Sequence, residues 1–81
     1  MTRETWLSIE QVEEDDSIHR ICAKLIGQIS GDVYQSWSVE ITSAKVKARF
    51  LDFVESEFFR SKDQFAIWEP YELVFQVNFL H

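Results

Sequence analysis

Eighty-one residues, 46% of them hydrophobic and 27% charged, describe one small folded domain, because a chain of this size buries only ~60% of the surface it exposes unfolded and builds a single modest core. Disorder is excluded by the apolar content; no apolar run approaches the ~20 residues of a membrane span, and the opening Met1-Thr2-Arg3-Glu4-Thr5 lacks the apolar stretch of a signal peptide. A net charge of −6 argues against direct binding to DNA or RNA, whose affinity comes mainly from neutralising phosphates with Lys and Arg.

In chain order, residues 5–12 read as a strand, since Leu7 and Ile9 alternate with Ser8 and Glu10, although a short helix with Trp6, Ile9 and Val12 near one face is also compatible. Residues 13–17 read as an exposed turn. From Ile18 to Ile29 the pattern alternates, with Ile21, Ala23, Leu25, Gly27 and Ile29 on one face. Ser30-Gly31-Asp32 supplies turn chemistry. Val33, Gln35, Trp37, Val39 and Ile41 then share a face, so the two runs form a hairpin.

Ser43 is a candidate helix N-cap. From Ala44 to Arg60 there is no Gly or Pro, and Val46, Phe50, Val54 and Phe58 form a stripe flanked by Leu51 and Phe53. The segment reads as an amphipathic helix laid on a sheet. The alternation of Lys45, Lys47 and Arg49 with Val46, Ala48 and Phe50 is strand-like, and bases in a first turn oppose the helix dipole. Residues 61–64 read as a loop and residues 65–68 as a short apolar run. Pro70 lacks an N–H for a central ladder. Beyond it Tyr71, Leu73, Phe75, Val77 and Phe79 alternate to the chain end.

The assembled expectation is one α+β domain over residues 1–81. It has an antiparallel sheet of about four strands with one amphipathic helix packed on one face, in the order βββαβ. One helix leaves the opposite face holding Ile26, Tyr34, Val74 or Leu80 among polar neighbours, and exposed sheet edges or faces of that kind commonly pair with something.

Chemistry-bearing residues are sparse. Cys22 is the only cysteine, so an internal disulfide and a multi-cysteine zinc site are excluded, and a reducing, cytoplasmic setting is expected. Gly27 and Gly31 are the only glycines, too few for a phosphate-cradling loop. His19 and Cys22 fall on opposite strand faces, and nothing in the sequence places His81 near them. Glu69 and Glu72 flank Trp68, Pro70 and Tyr71, the most apolar setting for an acid–base carboxyl, yet a single-core domain of this size has little room for a deep pocket. Lys45, Lys47 and Arg49 are too few for a nucleic-acid footprint and read as a solvated helix face, balanced by Asp52 at i+3 from Arg49. No enzyme, cofactor or metal site is expected.

Charge distribution carries more information. Residues 1–19 hold one base against six acids, and the rest of the chain seven bases against eight acids. The densest stretch puts Glu10, Glu13, Glu14, Asp15 and Asp16 within seven residues. Aromatic residues make 15% of the chain. Trp37 belongs to the apolar hairpin face, whereas Trp6, Trp68 and Tyr71 are candidates for a partner-facing surface.

The expected function is therefore a small acidic binding domain without catalytic activity. Its carboxylates attract the Lys and Arg of a partner protein, whose basic, possibly nucleic-acid-binding, surface it occludes. Trp6, Trp68 and Tyr71 supply the desolvated anchor. In size and charge alone the chain is similar to the acidic inhibitors encoded by phages and to immunity proteins. The alternative is a self-associating assembly subunit that forms a homodimer through its C-terminal strand. No membrane association is expected.

Overall fold

The computed structural model describes residues 2–64 and 66–80. Four strands and two helices follow in the order β1 (Thr2–Leu7), α1 (Ile9–Glu14), β2 (Ile18–Gly27), β3 (Val33–Glu40), α2 (Ala44–Gln64) and β4 (Tyr71–Leu80). The strands form one antiparallel sheet in the spatial order β1-β4-β2-β3. The fold class is the expected α+β sheet with one main helix, with a short helix added after the first strand.

That addition corrects the reading of residues 5–12 as one strand. Ser8 caps α1, and its hydroxyl accepts from the Gln11 N–H at 3.4 Å while the Gln11 side chain accepts from the Ser8 N–H at 3.0 Å. This reciprocal capping box satisfies helix-end donors that an extended strand would leave to solvent. Val12 is then carried into the core, fully buried.

The β2–β3 hairpin forms as expected. Gly27 and Gly31 hydrogen-bond across the turn, and Gly31 takes φ +76°. Two register shifts alter which residues face inward. Between Ile18 and Arg20 the β2–β4 register slips, so that Ile18 and Ile21 are both buried. On β3, Gln35 opposes Leu25 but Val33 opposes Ile26, leaving Tyr34 as the extra residue. Val33 thus leaves the face of Trp37 and Val39 and is exposed, and Ile29 is exposed in the turn instead of following Leu25 inward.

Residues 44–50 are helical. Ser43 caps α2 by accepting from the Val46 N–H at 3.2 Å, and the helix continues through the expected loop to Gln64. Its buried stripe is Lys47, Phe50, Leu51, Val54 and Ser61, with Phe58 half-buried and Phe53 exposed. A period of 3.6 selects those positions, whereas the four-residue spacing from Val46 drifts off the face. The core lies between this stripe, Val12 of α1, and the sheet residues Ile21, Ala23, Phe75, Val77 and Phe79.

β4 is the most apolar strand and occupies the interior of the sheet, hydrogen-bonded to β1 on one side and β2 on the other. The C-terminal strand of the self-association reading is thus paired with β1 over Phe75–Leu80 and with β2 over Tyr71–Phe79, which leaves 71–74 without a β1 partner among the described residues. Pro70 stands just before the ladder, and its carbonyl accepts from the Gln28 N–H at 2.8 Å. Phe65 and His81 lie outside the described residues, and residues 66–68 form no strand. No described helix is long and apolar enough to cross a membrane.

Candidate functional site

The acidic run folds around a buried base. Lys47 is 6% exposed, and its ammonium donates to the carbonyls of Glu13 (3.3 Å) and Asp15 (2.9 Å), at the C-terminal end of α1. Its ammonium also lies 3.8 Å from the Asp16 carboxylate. Carboxylates gathered at a helix C-terminus oppose the helix dipole; a cation there offsets both the dipole and the like charges. Lys47 is thus the fastener of α1 to α2, a correction to its reading as part of a solvated basic face. Asp15 turns inward on its own loop, accepting from the Ser17 N–H (2.8 Å) and hydroxyl (2.6 Å), bonds that lower its pKa. Glu10, Glu13, Glu14 and Asp16 remain exposed.

These side chains border depressions on α1 and at its junction with α2. Glu14, Asp15 and Asp16 line one with Leu7 and Gln11. Glu13 and Asp16 share the next with Asp52 of α2. Glu10 and Glu55 lie across a third, of 310 Å³, whose apolar lining includes Ile9, Phe58, Phe59, Leu73 and Phe75. Phe58 and Phe59 also line a 380 Å³ depression with Pro70 and Tyr71. Phe58 meets Phe59 and Tyr71 edge-on, at ring separations of 6.0 Å and 5.5 Å, the arrangement that aromatic quadrupoles favour. The junction is therefore a seam, acidic at one end and aromatic at the other.

Comparison with models of known families, with curated proteins and with solved structures finds no match. The seam has to be read from its own chemistry.

Of the residues expected to bind a partner, the structure brings Glu10, Glu13, Glu14, Asp15, Asp16 and Tyr71 to this side of the sheet. Trp6 is elsewhere. Its register partner is Gln76, whereas the neighbouring Leu7 pairs with buried Phe75, so Trp6 projects from the face opposite the helices. There it is 53% exposed, with the Lys24 ammonium 5.7 Å from its ring, a cation–π distance. Trp68 is 70% exposed in the segment before β4 and lines none of these depressions. The seam also holds Asp52, Glu55, Phe58 and Phe59, which the sequence reading did not count among the partner-binding residues. Their signal was present: Asp52, Glu55 and Phe59 recur at i, i+3 and i+7, one helix face. Asp52 makes no ion pair with Arg49; the described pairs are His19–Glu40, Lys47–Asp16 and Arg60–Glu57.

A different chemistry governs Glu69. Its buried carboxylate accepts from the N–H groups of Ile29 (2.7 Å) and Ser30 (2.8 Å) and from the hydroxyls of Ser30 (2.7 Å) and Tyr34 (2.7 Å). Burial opposes its ionisation, but the donors of Ser30, Tyr34 and Ile29 outweigh it and hold the pKa at about 2. The same bond to Glu69 raises the Tyr34 phenol above its usual range, with burial adding to the effect. A carboxyl held ionised by its donors is a structural latch between the hairpin turn and the start of β4, and the opposite of the raised carboxyl that acid catalysis needs. Cys22 is half-buried on the open sheet face, in register with Gln76 and Ser38. Among the described residues no three His, Cys, Asp or Glu side chains cluster as metal ligands do.

Proposed function

We propose that this chain is a small binding domain without catalytic activity, which occludes a basic surface of a partner protein with the α1–α2 seam. One observation carries the reading: exposed carboxylates from separate segments, Glu10, Glu13, Glu14 and Asp16 with Asp52 and Glu55 of α2, line depressions on and beside α1. Of these, among the described residues, only Asp16 has a cation within ion-pair distance, and its side chain is still 95% exposed. Such a surface steers Lys- and Arg-rich partners toward it and weakens with ionic strength. The same field repels phosphate, so a partner that itself grips nucleic acid is the natural competitor target. A lone free thiol is compatible with action in a reducing, cytoplasmic compartment.

The test is capture of partners from host lysate at low and high salt, with the wild type and with a variant carrying Glu10→Gln, Glu13→Gln, Glu14→Gln and Asp16→Asn. The wild type should retain a basic protein that salt releases, and the variant should lose it while keeping its circular dichroism. Equal retention by a folded variant overturns the acidic mechanism.

A further inference from the structure

We propose that the aromatic end of the seam receives an apolar side chain of the partner, presented within one helical turn of a Lys or Arg that meets Glu10 and Glu55. This rests on the docking reading above and specifies the segment the seam takes, an amphipathic basic one.

Phe59 carries the inference. It is 72% exposed, although Phe58 beside it already supplies the ring that packs on Tyr71. It stands one turn beyond Glu55 on α2 and shares a depression with Ile9, Glu10 and Leu73. The 310 Å³ available lies at the low end of binding cavities, enough for a side chain and too open to enclose a free small molecule. The rim decides the occupant. Two carboxylates beside an apolar floor complement a cation joined to an apolar group, and they repel anionic amphiphiles. A second copy is disfavoured, because a two-fold axis through the seam sets like carboxylates against one another.

Two synthetic helical peptides of equal positive charge test this, one with leucines four apart between lysines, the other with glutamines replacing the leucines. Binding is followed by calorimetry and by backbone amide shifts. The leucine peptide should bind about tenfold tighter, a difference of about 1.4 kcal/mol, with shifts centred on Ile9 and Phe59. Phe59→Ser should abolish that preference, and Phe53→Ser, which alters another exposed ring of α2 outside the seam, should preserve it. Equal binding of the two peptides, or a preference that survives Phe59→Ser or is also lost in Phe53→Ser, overturns the proposal. The four-carboxylate variant separates this failure from failure of the docking reading. If it weakens both peptides while leucine confers no preference, docking stands and the aromatic receptor falls; if salt and neutralisation affect neither peptide, both fall.

Discussion

Glu69 ties three segments together through one carboxylate, with donors from Ile29, Ser30 and Tyr34. Its pKa lies below the ordinary 4.5, at about 2. A depressed carboxyl stabilises the fold at pH above its unfolded value and loses that contribution as pH falls through its folded value. The stabilisation is therefore complete above pH 4.5 and disappears on acidification toward about pH 2. Glu69→Gln should lower the Tm at neutral pH, and the gap to wild type should narrow across that acid window in a series of thermal melts. The backbone makes room for the latch at Gly27, where an added Cβ would overlap the Glu69 carboxyl group. Gly27→Ala forces that group out and should cost about 1–3 kcal/mol in urea denaturation, as other overpacked sites do.

At the level of elements, α1 is too short to persist alone, since isolated helices below ~12 residues are marginal in water. Its capping box and the Lys47 ammonium hold the two ends. Lys47→Met keeps the aliphatic stem but leaves the Glu13 and Asp15 carbonyls without their donor. That change should cost about 1–3 kcal/mol by denaturant melting, with hydrogen exchange accelerated in α1 before the sheet. An unchanged melting curve would mean that Lys47 does not fasten α1. The Ser8-x-x-Gln11 spacing of a capping box is present in the sequence, but the strand reading rested on the Leu7–Ile9 alternation alone. For α2 the absence of Gly and Pro and the apolar stripe sufficed. The bases that looked strand-like alternate because one of them, Lys47, points into the fold.

Across the whole molecule, the carboxylates that form the seam also repel one another, so the surface proposed for docking weakens the free fold. Glu13→Gln with Glu14→Gln should raise the Tm at low ionic strength, and the gain should fade toward about 1 M salt, where the screening length shrinks to ~3 Å. A gain independent of salt would point to helix propensity in place of charge. Pairing order sets a second property. Among the described residues β1 pairs only with β4, the strand farthest from it in sequence, so the sheet closes after distant segments meet, which slows folding relative to local topologies.

What the amino-acid order determined by itself is the local grammar: the hairpin around Gly31, the amphipathic α2, an alternating final strand, and a charge excess concentrated between Glu10 and Asp16. Periodicity and turn chemistry act over a few residues, so they are written in short windows. Tertiary structure alone decided that β4 lies inside the sheet, that Trp6 faces away from the helices, that a bulge at Tyr34 turns Val33 outward, that Asp52 stands beside Glu13 and Asp16, and that Glu55 and Phe59 stand beside Glu10. Each of those depends on which segments meet across long sequence separations, and the free energy of such meetings comes from the summed burial of all the faces at once.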